Sequence, residues 1–288
     1  PCRPKTFLSS FRRPCALRGA GPARLTRTLT YPIPPEMAAV YQTLPINTGL
    51  QALIEKHLPV VQRGEEAEAK GKADFDAQLG KPFARLLQTA DSSITSDENS
   101  PYTAQGLGIS YPASSNVNDY ITRAQAAMAQ WRKLPVEARA ALLMETLERM
   151  AASFFEIAHA TMHGTGQAYM MSFQASGPHA ADRALEALAV GYDAQARYAN
   201  DVRWVKPMGK FDAVVTKQFV AVPKGVALSI GCSTFPVWNS LPGIYASLIT
   251  GNAVIQKPHP LGVYSIAIQV ANIQQVMKEH GLDPHIIQ

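Results

Sequence analysis

The sequence predicts an α/β protein in which N-terminal helices precede the start of a parallel sheet. Two observations carry this. The stretch from Gly225 to Gln256 (GVALSIGCSTFPVWNSLPGIYASLITGNAVIQ) has no charged residue between Lys224 and Lys257. Upstream, apolar residues such as Leu50, Leu53, Ile54 and Leu58 recur at helical spacing. A run without charge belongs either to a membrane or to the inside of a packed domain, and its punctuation decides. Pro236, Pro242, Gly243 and Gly251-Asn252 cut it into pieces shorter than the ~20 apolar residues a bilayer requires. Ser233, Thr234, Asn239, Ser247 and Thr250 would lack partners in lipid. No membrane role is expected. The pieces read as a strand over 225–230, a polar turn, a buried helix over 237–249, a Gly-Asn turn and a strand over 253–256. That is one βαβ unit whose sheet is covered on both faces.

The other elements follow in order. Residues 1–36 hold seven Lys or Arg and five of the chain's prolines from Pro14 onward, against one acid, Glu36. Three readings compete for this leader: an organellar transit peptide, a disordered tail, or translated sequence upstream of a start at Met37. The prolines interrupt the amphipathic helix a transit peptide needs and favour the third. Residues 37–115 form an N-terminal helical region and loop, with helices expected over 48–67 and 72–89. A Ser/Asp/Asn-rich loop follows over 91–102. Helices are expected over 117–131, over 136–159 with Pro135 at its start, and over 180–199. The segment 212–222 (DAVVTKQFVAV) alternates partway and suits a strand. A final helix covers 262–281. Asp283-Pro284 turns the chain, and 285–288 begins the next strand.

The formal charge of +5 suggests nucleic acid until it is located. The excess lies in residues 1–36 and the remainder is close to neutral, so no nucleic-acid partner is expected. The three cysteines, Cys2, Cys15 and Cys232, form no CxxC pair and support neither a zinc site nor a disulfide framework. A reduced, cytoplasmic setting fits. His159 and His163 stand four residues apart without a third ligand, and read as one packed and one solvated histidine.

The loop Cys232-Ser233-Thr234-Phe235-Pro236 and the element Gly251-Asn252-Ala253-Val254-Ile255-Gln256-Lys257-Pro258 resemble the aldehyde dehydrogenase superfamily. Its members carry a Pro-Trp-Asn-Phe-Pro type loop after the first cofactor-domain strand and a Gly-Asn-x-x-x-x-Lys-Pro element after the next helix. The spacing between loop and lysine is kept. Upstream, Ala124 to Arg149 has the family's Trp, Pro turn and Arg before an amphipathic helix, while Gln167 stands where a Lys is usual. The resemblance covers 116–288, and its wording is most similar to the branch found in phenylacetate-degradation clusters. It implies an incomplete aldehyde dehydrogenase-like fold with a Rossmann-like sheet. Residues 116–288 would be an incomplete cofactor domain, with 200–222 as a strand arm used in homo-oligomers.

The resemblance also implies roles. Ile230, Gly231, Cys232, Ser233, Lys257, His259 and Pro260 would border an NAD or NADP site at the carboxyl ends of the strands. Lys257 would hold the adenosine ribose by a charge-assisted hydrogen bond. The acidic residue often found three positions later is Pro260 here, which leaves NAD and NADP both open. Thr234 replaces the family's Asn and is a candidate oxyanion donor. Cys232 falls at the family's loop Pro and reads as a small apolar filler rather than a nucleophile. No metal is implied. The family's nucleophilic Cys and general-base Glu lie beyond the Lys-Pro element and are absent from these residues. The expected activity is therefore that of a complete enzyme oxidising a small aldehyde to an acid with NAD(P), in aromatic catabolism, the chain alone being inactive. A non-catalytic interaction module that retains the cofactor half-site is the alternative.

Overall fold

The computed structural model describes residues 64–198 and 201–288. The expectations for residues 1–63, including the leader and most of the first helix, lie outside the described residues.

Helix α1 (Gly64–Gln78) stops where the local chemistry stops it. Gly80 takes φ +68, its N–H bonds to Leu107 O at 2.8 Å, and Pro82 cannot continue a helix. The expected helix over 72–89 is thus corrected: it begins earlier and ends eleven residues sooner. The chain also does not break between 67 and 72, because Gly71 lets the helix backbone lie directly against Phe155. Part of the expected loop is a strand. β1 (Ser92–Thr95) pairs antiparallel with β2 (Ser110–Ala113), so its Ser and Thr backbone groups are satisfied by a ladder.

Helix α2 (Val117–Trp131) appears at the expected bounds, with Asn116 accepting the Asn118 N–H at 3.0 Å as its cap. The single helix expected over 136–159 is two, α3 (Val136–Ala151) and α4 (Phe154–Thr165). At the break, Ala152 and Ser153 donate to carbonyls three residues back, which tightens and ends the turn. The bend lets Phe154, Ile157 and Ala158 all be buried. Short α5 (Tyr169–Ser176) and long α6 (Pro178–Ala196) follow.

β3 (Asp201–Pro207) and β4 (Asp212–Gln218) form an antiparallel hairpin around Gly209. The expected strand over 212–222 ends at Gln218, and a second strand precedes it. The hairpin is exposed along its length, Trp204, Phe211 and Val215 included.

β5 (Val226–Ile230), α7 (Pro236–Ile249) and β6 (Ala253–Lys257) are the expected βαβ unit. The strands are parallel, in register from Val226 opposite Ala253 to Ile230 opposite Lys257. The Gly-Asn turn has a clear cause. Gly251 takes φ +87 after the helix, and the Asn252 side chain accepts the Gly225 N–H at 3.0 Å, tying the start of β5 to the turn. α8 (Val263–Glu279) crosses back, and Ile287 bridges Val254 in parallel where the next strand was expected to begin. α7 covers the face bearing Ser229 and Gln256, whose amide reaches Ser240 at 3.3 Å. The expected cover on both faces fails at β5. Leu228 and Ile230 are 63% and 68% exposed, while Val226 on the same face is half-buried: among the described residues β5 is a sheet edge, and its carboxyl half is left uncovered.

Two buried anchors fix the helices around this unit. At the C-terminus of α7, Trp131 Nε1 donates to Leu248 O at 2.8 Å and Arg139 Nε to Ile249 O at 3.0 Å. Arg139 also donates to Leu134 O and to the Gln195 side chain. Burial lowers its guanidinium to about 10, so it stays charged at neutral pH. A cation on the last carbonyls also complements the helix dipole. At the N-terminus of α8, Glu98 accepts the Tyr264 N–H at 2.6 Å, together with the hydroxyls of Ser96 and Tyr111. Burial is the main influence on that carboxyl and raises its pKa. The Tyr264 hydroxyl in turn donates to Glu156 at 2.6 Å, which Arg85 grips with both nitrogens.

Candidate active site

Two loops meet at the carboxyl ends of β5 and β6. The Gly231 N–H donates to Lys257 O at 2.8 Å, so the 231–235 loop and the 257–260 segment start side by side. Gly231 is closely surrounded: a Cβ would stand 3.2 Å from Ser240 Oγ, 3.3 Å from Gln256 Nε2 and 3.4 Å from Pro258 Cα, so its neighbours would have to give by a few tenths of an ångström. Further along, a Cβ on Gly262 would stand 2.9 Å from the Pro236 ring. The start of α7 therefore packs on the turn that follows β6.

The sequence placed Ile230, Gly231, Cys232, Ser233, Lys257, His259 and Pro260 at this edge, and the structure brings them together there. Ile230 lies opposite Lys257 in the ladder. Lys257 is exposed, and no described residue makes a hydrogen bond or ion pair with its ammonium. His259 spends Nδ1 on the Leu261 N–H at 3.2 Å, capping the 3-10 turn Pro260–Gly262. Pro260 is exposed. Cys232 is not the buried filler expected. It is exposed, and its thiol donates to Thr234 O at 3.2 Å, because the loop leaves the sheet before any helix can cover it.

Thr234 is held by its backbone. The same carbonyl accepts Asn239 Nδ2 at 2.6 Å, so Asn239 tethers the loop to the first turn of α7. Phe235 then takes φ +49 and ψ +60, a left-handed conformation costly for a residue with a Cβ. The Thr234 hydroxyl is left exposed, with no hydrogen-bond partner among the described residues. This arrangement can offer a hydroxyl donor, an ammonium and a close backbone approach within one edge.

The sequence reading missed what supports this edge. Gly164 of α4 lies so close to the 3-10 turn that a Cβ there would fall on the Leu261 carbonyl oxygen. Glu98 caps α8 from 166 residues away. No local pattern marks Glu98. Gly164 inside an apolar helix was a visible sign of close packing.

Residues 89–288 match the sequence pattern of the Aldehyde dehydrogenase family. The chain belongs to the aldehyde dehydrogenase family. The match begins upstream of Asn116, where the motif reading began, and so includes β1, β2 and the Glu98 anchor. Among solved structures, the chain is similar to the NAD-dependent aldehyde dehydrogenase from Burkholderia multivorans, with 40% identity and a TM-score of 0.76 over 87% of this chain and 46% of that one. It is also similar to a single-site mutant of Thermus thermophilus 1-pyrroline-5-carboxylate dehydrogenase at 17% identity, TM-score 0.58, over 80% of this chain and 43% of that one. A third is the glyceraldehyde-3-phosphate dehydrogenase GapN from Methanocaldococcus jannaschii, complexed with NADP, at 14% identity and TM-score 0.52 over 69% and 41%. The latter two speak for the fold alone. The chain spans less than half the length of each of these structures. Among curated proteins, none matches. No helix of the described residues is long and apolar enough to cross a membrane.

Proposed function

We propose that this chain is the cofactor-side portion of an NAD(P)-dependent aldehyde dehydrogenase that oxidises a small aldehyde to an acid through a cysteine thioester. The observation that carries it is the joined pair of loops at the sheet edge, in a family member 40% identical to an NAD-dependent aldehyde dehydrogenase. The residues present fit a dinucleotide. Gly231 has a bare, closely surrounded backbone, and Lys257 has an ammonium with no protein partner among the described residues. Bound there, NAD(P) supplies the hydride acceptor. Lys257 holds the adenosine ribose, while Ile230, Gly231, Cys232, Ser233, His259 and Pro260 border the site. Thr234 offers its hydroxyl to the oxyanion that forms when a thiolate adds to the carbonyl. The nucleophilic Cys and the base that activates water for thioester hydrolysis are assigned to no residue of this chain.

A role in phenylacetate or related aromatic catabolism rests on the wording of the STFPVWN and KPHP segments. Homo-oligomerisation rests on the exposed β3–β4 hairpin, and a cytoplasmic setting on the cysteine usage.

Calorimetric titration with NAD and NADP tests the cofactor assignment. Lys257→Ala should weaken binding by roughly 1.5–3 kcal/mol, the range for a hydrogen bond to a charged group, or about 10- to 150-fold in Kd. Pro260→Glu should add a carboxylate that repels a 2′-phosphate and shift preference toward NAD. Unchanged affinities in Lys257→Ala would remove the lysine from the site.

A further inference from the structure

Helix α1 docks on α4 through one narrow face. Of its residues 65–78, Gly71 and Phe75 are the two that are buried. The Phe75 ring meets those of His159 at 5.9 Å, His163 at 6.0 Å and Tyr264 at 6.0 Å. His159 stands in the middle of α4 and is 8% exposed. On its other side lies the Tyr169 ring of α5, at 4.8 Å. Neither ring nitrogen of His159 has a hydrogen-bond partner. The imidazole is thus a buried polar group wedged between the helix that docks and the helices that receive it.

We propose that His159 is a pH-sensitive latch for α1: while its ring is neutral the helix stays docked on α4, and protonation of the ring releases it. A neutral imidazole leaves one N–H and one lone pair unsatisfied. The imidazolium leaves two N–H groups and a charge, which is the worse burden in the same place. The aromatic faces of Phe75 and Tyr169 favour a cation and oppose this. They replace neither missing acceptor, so burial prevails.

The charged groups around the ring agree. α1 carries Glu68, Lys72 and Asp76 within electrostatic reach of it, α4 adds His163 one turn on, and α5 adds Tyr169, itself near Glu68. Lys72 repels the protonated ring, and its ammonium also engages Asp76 at 2.7 Å, occupying one carboxylate that could have compensated. Burial first and Lys72 second hold the His159 pKa below its ordinary value, with Glu68 and Asp76 acting the other way. A depressed histidine contributes stability that is complete above the ordinary imidazole range. It is lost as pH falls, because the released state takes up the proton more readily.

Amide hydrogen exchange on the full chain tests the latch, with rates corrected for intrinsic pH dependence. Between about pH 7.5 and about pH 5.5, protection of α1 should fall several-fold, up to the roughly tenfold that one histidine can supply, while α7 and α8 keep theirs. His159→Phe should keep α1 protected at both values, and His163→Gln should retain the wild-type response. Titration of the His159 ring by NMR in the unaltered protein gives a readout that does not depend on a variant folding. A pH response that persists in His159→Phe overturns the latch. So does an α1 whose protection ignores pH, or a His159 ring that titrates above the ordinary imidazole value.

Discussion

Arg139→Ala should cost about 4 kcal/mol of folding stability, read as a fall of roughly 10 °C in the thermal midpoint. The side chain is 6% exposed and serves three acceptors: Leu134 O, Ile249 O and the Gln195 amide oxygen. Removing it takes the charged donor from the last carbonyl of α7, leaves Leu134 O and the Gln195 amide oxygen without theirs, and opens a cavity the size of the lost stem. Each charged hydrogen bond contributes about 1.5–3 kcal/mol, and each abandoned buried acceptor costs about 1–3. Gln195 also reaches Ile249 O, at 3.1 Å, which caps the loss below the sum of the parts. Arg139→Lys should recover only a fraction, since an ammonium cannot span acceptors on three elements as a planar fork does. A midpoint within about 2 °C of the unaltered protein would show that water replaces the guanidinium and that the anchor is not structural.

The second large effect is expected at Gly164→Ala. The added Cβ falls on the Leu261 carbonyl oxygen, a backbone atom that cannot rotate away. Either α4 or the Pro260–Gly262 turn must move, at a cost of about 3 kcal/mol. The turn leads directly out of Lys257-Pro258, so its displacement should carry the lysine with it. Calorimetry should find weaker NAD or NADP binding in the variant as well as a lower midpoint. Gly243→Ala is the control. It too lies inside a helix, but a Cβ there would meet nothing closer than Ser229 Oγ at 3.9 Å. It should be neutral or stabilising by up to about 1 kcal/mol. Equal behaviour of the two variants would show that the α4 contact does not position the turn.

What was legible in the sequence was whatever depends on neighbours along the chain. The uncharged run, broken by prolines and the Gly-Asn pair, determined a strand, a buried helix and a second strand, and all three stand within a residue or two of their expected bounds. The loop and lysine motifs, in register, determined the family and the edge of the sheet where the two loops meet. Gly80 and Pro82 marked the end of α1 in plain sight, yet the helical reading ran past them.

Tertiary structure alone decided the rest. It divided 136–159 into two helices, since the direction of α4 is set by what Phe154 and Ile157 pack against. It turned Cys232 outward and left Leu228 and Ile230 uncovered, because burial of a loop or strand face depends on elements distant in sequence. It paired Arg139 with a carbonyl 110 residues away and Glu98 with an amide 166 residues away. A sequence pattern records the period of a helix or strand, but a buried hydrogen bond between distant residues has no period. Its partners are chosen only once packing has excluded water and each remaining polar group must find a partner within reach.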